Sequence, residues 1–392
     1  MTAITGLRGT GQFDTSFRPT NYRELFTLLE PNGTAPLQAL LSMAGSESTD
    51  DPKYNHFRDE LPDRTLTVNG AVASTSTTSI VVDNDDDEAF VVAGTILQNQ
   101  TTGEIMRATA DANLATNTLT VERNIGGTSH QIADDAVLVI AGHADQEGGT
   151  SPTAISFDPT TDFNYTQIFK TAVQVTGTLQ NTYLRTGDKE QEQLTKALKL
   201  HMGDIERAMF FGKKHEANGT TASPTRYTGG LFTEITNVTD GASYGASANT
   251  ITEKEFDKLL IEDIFAFGSS EKVAFCGARV ISNLMEIGKN RWQPTQIDNA
   301  YGVSLTRYTT YAGDLLVYMH PMFRQTGMTE EMVILDMGEL KFRYLQGRDT
   351  QLIRDVQAND FDGVKHMYMT ECGLEMTQAK VHHRIKGWNK VT

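Results

Sequence analysis

Asp83, Asp85 and Asp87 alternate as carboxylates do at the start of a calcium loop, where oxygens from every second position converge on one hard cation. Glu88 stands where the sharp turn needs glycine, and Gly94 where a bidentate glutamate belongs, so the run reads as a solvated acidic turn. His382 and His383 are adjacent, which on a strand points them to opposite faces and keeps them from sharing one metal. His130, His143, His201 and His215 have no cysteine or carboxylate at ligand spacing. Gly6, Gly9 and Gly11 lack the Lys-Ser/Thr of a phosphate loop. Cys276 and Cys372 are too far apart for a metal motif and too few for a disulfide framework; they read as small buried hydrophobes in a reducing compartment. Pairs such as Asp59-Glu60 are commonplace on an acidic surface. The expectation is a protein that is not an enzyme, with no catalytic residues, no cofactor and no metal.

The whole-chain balance points the same way. Lys and Arg number 34 against 50 Asp and Glu, a formal charge of −16, which disfavours both phosphate neutralisation and a membrane surface. No apolar run reaches the length of a membrane span, and Met1–Asp14 lacks the apolar core of a secretory signal. At 392 residues the chain has room for two or three domains, at roughly 150 residues each.

Composition changes sharply along the chain. No lysine occurs between Lys53 and Lys170, and residues 65–147 hold twelve acids, two bases (Arg107 and Arg123) and one aromatic, Phe90. Short β-branched runs alternate there with turn residues: Thr78–Val82, Phe90–Val92, Thr95–Gln98, Glu104–Thr109, Thr118–Glu122 and Val137–Ile140. The spacing predicts an inserted all-β module, a small antiparallel sandwich or barrel with a thin core of Val, Ile and Leu.

The strongest helical pattern runs from Asp188 to Lys213, with Leu194, Leu198, Met202, Ile205 and Met209 on one face and acids in the first turns. A hairpin is expected around Thr228–Ile235. Thr252-Glu-Lys-Glu255 is a capping box opening a helix that buries Phe256, Leu259, Leu260 and Ile264. Lys272–Cys276 reads as a strand and Ala278–Ile287 as a helix. Strands follow at Val303–Thr310, Leu315–His320, Met332–Leu335, Lys341–Leu345, Lys365–Thr370 and Glu375–Ile385. Helices first and strands later, without regular alternation, indicate an α+β fold.

Taken in order, several short motifs are similar to one family. They are Phe57-Arg-Asp-Glu-Leu61, then Gly103-Glu-Ile-Met-Arg-Ala-Thr109 and Thr118-Leu-Thr-Val-Glu-Arg123-Asn-Ile-Gly-Gly127 inside the β module. Thr176-Gly-Thr178, Thr186-Gly-Asp-Lys-Glu190, Asp204-Ile-Glu-Arg207 and Glu371-Cys-Gly-Leu-Glu-Met-Thr377 follow. In this order they resemble the major capsid (major head) proteins of tailed bacteriophages, whose fold is shared with the herpesvirus capsid floor. The resemblance covers nearly the whole chain, and it rests on order and spacing because each motif is short.

That resemblance implies an N-terminal arm (residues 1–52), an extended loop (53–64 and 144–165) and an inserted β domain (65–143). It further implies a peripheral domain (166–270 and 361–392) built on a spine helix (188–213), and an axial domain (271–360). The implied function is self-assembly as hexamers and pentamers into an icosahedral head around double-stranded DNA, without sequence-specific binding. Implied partners are further copies of the chain, portal and scaffold proteins and a decoration protein, with no membrane. The implied location is the virion, assembled in the host bacterial cytoplasm. Arg185, Lys189 and Arg207 are the expected inter-subunit contacts. Some relatives weld their shells by an isopeptide bond from a lysine in the extended loop; the lysine gap predicts none here. The inserted domain is either a solvated decoration or a contact to a neighbour or cement protein. Two other classes stay open: an encapsulin-like nanocompartment, although Met1–Phe17 is polar and not amphipathic as a cargo groove would need, and an acidic hydrolase, which would need a convergent pocket.

Overall fold

The computed structural model describes residues 35–391 apart from 62, 84–86, 184–187, 246, 289–294, 297–305 and 325–326. The chain forms two units, one made of residues up to His56 together with those from Asp162 onward, the other Phe57–Thr161.

Strand Glu271–Cys276 is buried at every residue but its first, as expected of a strand covered on both faces of its sheet. It lies at the centre of a seven-stranded sheet in the order Val238–Asp240, His383–Lys386, Met332–Leu335, Glu271–Cys276, Asp314–Met319, Thr306–Thr309, Thr295–Gln296. Because side chains alternate along a strand, this sheet serves two cores. Val273, Phe275, Leu316, Val333 and Leu335 join Ile205, Met209 and Phe210 on one side. Ala274, Cys276, Leu315, Val317, Met332 and Ile334 join Phe256, Leu259, Leu260, Val280 and Leu284 on the other.

A second sheet runs in the order Ser46–Thr49, Leu340–Leu345, Gly363–Met376, Gln167–Thr176, with Gln351–Ile353 also paired to Gly363–Met376. The two sheets are continuous across residues 270/271 and 360/361, since strands on either side of each point share a ladder.

The long helix spans Lys189–Phe211, about 35 Å. The Asp188 carboxylate caps it, accepting from Glu190 N at 2.9 Å. Gly212 ends it because the chain folds too tightly there for a side chain: a Cβ would stand 2.3 Å from the Thr228 carbonyl oxygen and 2.5 Å from that of Ala208. Lys213 and Lys214 therefore follow the helix and do not close it.

The helix Pro36–Ala44 has no capping side chain of its own; its N-cap is Ala35. A carboxylate 168 or more residues away does that work. Glu206, wholly buried in the long helix, accepts from Leu37 N at 2.8 Å and Gln38 N at 3.0 Å. His320 Nε2 lies 3.0 Å from the same carboxylate. His320 Nδ1 accepts from Met322 N at 3.2 Å, so the proton sits on Nε2 and is donated to Glu206.

Other expectations need correction. The polar stretch after the long helix holds its hairpin earlier than Thr228–Ile235, between His215–Ala217 and Thr225–Tyr227, and Leu231–Glu234 is a helical turn around buried Leu231. Gly363–Met376 is one strand of 14 residues, whereas the sequence splits it at 370/375. Glu375–Ile385 is broken by a turn at Ala379–Val381. The capping box at Thr252 and Glu255 forms as expected. Thr306–Thr309 is a strand, and the rest of the expected 303–310 strand falls partly on 303–305, outside the described residues.

In the smaller unit, six antiparallel strands run in the order Thr65–Thr67, Val137–His143, Thr95–Asn99, Ile105–Ala108, Thr118–Glu122, Ser79–Val81. Asn69 N donates to Val81 O at 2.9 Å and Asp83 N to Thr67 O at 2.9 Å, which joins the first strand in this order to the last and closes a barrel. Its core, Leu66, Val68, Ile80, Val82, Leu97, Met106, Leu119, Val121, Ile132 and Leu138 among others, holds no aromatic ring. The strand expected at Phe90–Val92 does not form. Asp87–Phe90 is a helical turn, and the next two donors are used locally, Val91 N to Glu88 O at 3.0 Å and Val92 N to Thr95 Oγ1 at 3.1 Å. No ladder donor is left.

Candidate functional site at strands 53–58 and 160–165

Strands Lys53–Arg58 and Thr160–Tyr165 pair where the chain leaves and re-enters the larger unit. What fixes them is a buried set of polar contacts on Glu371-Cys-Gly-Leu-Glu-Met-Thr377. The Leu374 carbonyl accepts from Tyr54 Oη at 3.0 Å and Asn164 Nδ2 at 2.7 Å. Asn164 Oδ1 accepts from Gly229 N at 2.7 Å, so one buried amide ties three segments. Glu371 accepts from Thr166 Oγ1 at 3.1 Å and pairs with Arg348 Nε at 2.6 Å. Arg343 bonds Glu375 and, at 3.0 Å, Glu47, which Lys341 also reaches at 3.2 Å. The Lys341 hydrogen bond and the Arg343 charge hold the Glu47 carboxyl below its ordinary range.

Gly373 makes room for this arrangement. A Cβ there would stand 2.6 Å from the Tyr165 carbonyl oxygen and 2.5 Å from Tyr54 Oη. Beyond the root the apolar side chains lack cover: Phe57 is 76% exposed and Leu61 84%. A root this well satisfied, carrying a loop this exposed, positions apolar groups and cannot bury them by itself.

The module motifs have a physical counterpart too. Glu104 and Arg123 form a bidentate pair, Nε–Oε1 at 2.9 Å and Nη2–Oε2 at 2.5 Å, with both side chains almost wholly buried. His130 N donates to Glu104 at 2.9 Å, and Arg123 reaches the carbonyls of Ser74 and His130. Burial alone would raise the Glu104 pKa; the Arg123 and His130 hydrogen bonds outweigh it and hold the carboxyl low.

Of the expected contact residues, Arg185 lies outside the described residues. Lys189 pairs with Glu192 at 2.7 Å and Arg207 with Asp204 at 3.0 Å, both within the long helix. Eighteen residues is five helical turns, so the two cations share a face about 27 Å apart and do not converge.

The histidines are spread over separate structural roles. Thr370 Oγ1 donates to Thr350 Oγ1 and so accepts from His201 Nε2 at 2.8 Å, which leaves His201 Nδ1 to accept from Thr171 Oγ1 at 2.9 Å. His215 stacks on Tyr227, and His143 lies 3.3 Å from Asp145. His382 Nδ1 accepts from Asp336 N at 3.1 Å, while His383 Nε2 meets Thr239 Oγ1 at 2.7 Å. Burial pushes His382 down to about 3 and His383 to about 4. Close by, buried Lys272 donates to the carbonyls of Ile264, Phe267 and Val381 at 2.6–2.8 Å.

Both cysteines are buried and unpaired, and burial raises their thiol pKa, which keeps them unreactive. Asp85 and the glycines at 6, 9 and 11 lie outside the described residues. Among the described residues no three His, Cys, Asp or Glu side chains are grouped to hold a metal ion.

A family model described as SU10 major capsid protein matches residues 9–389. The chain is 28% identical over 336 residues to a major capsid protein of Pseudomonas phage PaMx41, covering 82% of this chain and 78% of that one. Among solved structures it is similar to the capsid of Myoviridae phage XM1, with TM-score 0.43 and 9% identity over 98% of this chain and 100% of that one. It is also similar to the capsid of a native GTA particle, with TM-score 0.44 and 8% identity over 98% and 99%. A third is the SrpI encapsulin of Synechococcus elongatus, with TM-score 0.43 and 13% identity over 59% and 76%.

Proposed function

The chain belongs to the SU10 major capsid protein family and is a phage major capsid protein, part of the virion, and from that premise we propose how it builds a shell. Copies associate as hexamers and pentamers that close into an icosahedral head around double-stranded DNA. Assembly takes place in the host cytoplasm, with portal and scaffold proteins and a decoration protein as further partners. The observation that carries this reading is the loop root. Tyr54 and Asn164 tie their strands to the Leu374 carbonyl, while Phe57 and Leu61 are exposed and are the apolar groups another copy covers.

Residues 53–64 and 144–165 act as the extended loop and 65–143 as its inserted domain. Residues 166–270 and 361–392 act as the peripheral domain, built on the long helix, and 271–360 as the axial domain. Arg185, Lys189 and Arg207 are candidate contacts across the capsid plane. An acidic wall repels the genome and lets it pack without adhering.

The test is electron microscopy of the chain expressed alone and purified by size exclusion. Shells, or five- and six-membered rings, are the expected result. A 43 kDa monomer whose melting is independent of concentration would overturn the reading.

A further inference from the structure

Two segments of this chain are complementary as strands: among the described residues one has an open edge and the other has no strand partner. The first is an edge. Gln167–Thr176 is the outermost strand of its sheet, ten residues long, paired through its whole length to Gly363–Met376 on one side. Among the described residues, no backbone hydrogen bond is made on its other side from Phe169 to Thr176. The edge carries no proline and no bulge, and its one charge is Lys170. Natural sheets blunt such edges or use them.

The second is Thr153–Asp158, bounded by Pro152 and Pro159. Its sequence alternates with period two, Thr153, Ile155 and Phe157 against Ala154, Ser156 and Asp158, which is the pattern of a half-buried strand. It forms no regular structure, and among the described residues its backbone has no hydrogen bond. Thr153 and Phe157 lean on the module, through Asp111 at 2.8 Å and the Phe90 ring at 5.7 Å, yet Ile155 and Phe157 remain 43% and 48% exposed.

We infer that Thr153–Asp158 of one copy adds as a further strand to the 169–176 edge of a second copy. The occupant's only charge is Asp158 and the edge's is Lys170, which are opposite in sign. Six residues fit within an eight-residue open edge, and Ile168, 48% exposed beside it, offers an apolar contact. Main-chain pairing would supply affinity and the alternate side chains would set register. An edge given and a strand received are different surfaces, so the contact is heterologous and repeats around a ring. This rests on the capsid reading above.

Hydrogen exchange read by mass spectrometry, on shells and on dissociated subunits of the full chain, tests it. Exchange in 153–158 and in 169–176 should both slow by about tenfold or more on assembly. An Ile155→Pro variant removes one donor from a segment without secondary structure. It should leave subunit melting unchanged, restore fast exchange at 169–176 in the shell and lower the temperature at which shells open. Shells in which 169–176 still exchanges freely, or is protected equally with Ile155→Pro, would overturn the inference and leave the capsid reading intact. If no shells form at all, the assembly proposed above fails and this inference with it.

Discussion

Glu206 shows how a single buried side chain can stand in for missing local chemistry. It supplies the cap that Ala35 cannot, and Glu206→Ala would leave the amides of Leu37 and Gln38 and the His320 N–H buried without an acceptor. The expected loss is about 3 kcal/mol or more in urea unfolding of the unassembled subunit, and a change under about 0.5 would contradict the assignment. Gly373→Ala should cost about 1–3 kcal/mol by overpacking, since the backbone oxygen of Tyr165 cannot swing away. His382 and His383 set a pH dependence. Their folded pKa values, about 3 and about 4, lie below the ordinary 6.5. The unfolded chain therefore binds protons that the folded one refuses once pH falls below about 6.5, and stability falls until about pH 4 to 3. Each histidine should account for about 2 kcal/mol lost between pH 7 and pH 5, and a His382→Gln, His383→Gln double variant should flatten that slope.

Arg123→Ala would strand the Glu104 carboxylate inside a barrel whose core has no aromatic ring to spare. A loss of about 3–5 kcal/mol is expected, confined to Phe57–Thr161, so calorimetry should show an early transition separate from the main one. A single unshifted transition would refute this. The same elements show what the chain makes legible. Period-two and period-3.6 patterns mark five of the six barrel strands, the long helix and the capping-box helix, because those elements bury one face each; Thr65–Thr67, three residues long, is too short to show a period. Helix Pro36–Ala44 went unread although Pro36 at its start and Leu37, Leu40 and Leu41 on one face were visible signals, because its cap comes from residue 206. Phe90–Val92 has strand composition, but local acceptors take its donors. At the loop root Glu371–Thr377 stood out as a motif, while its partners Tyr54 and Asn164 did not: nothing in a sequence says that residues 54, 164 and 374 share one carbonyl.

For the molecule as a whole, the lysine gap fixes what kind of shell it can build. Apart from Lys53 at its root, whose Nζ lies 4.2 Å from the Phe163 ring centroid, the loop has no amine for an isopeptide bond. Mature particles should run on a denaturing gel as a single band near 43 kDa, and a ladder of multimers would contradict this. Strength must then come from surface buried between copies. The barrel adds a consequence of another kind. Its entry strand, Thr65–Thr67, pairs directly with its exit strand, Val137–His143. A domain whose two ends are neighbours can be lost, gained or exchanged by recombination without moving the flanking chain. The abrupt shift in amino-acid usage across residues 65–147 is what a borrowed cassette leaves behind, and the same doorway would admit a foreign domain for display.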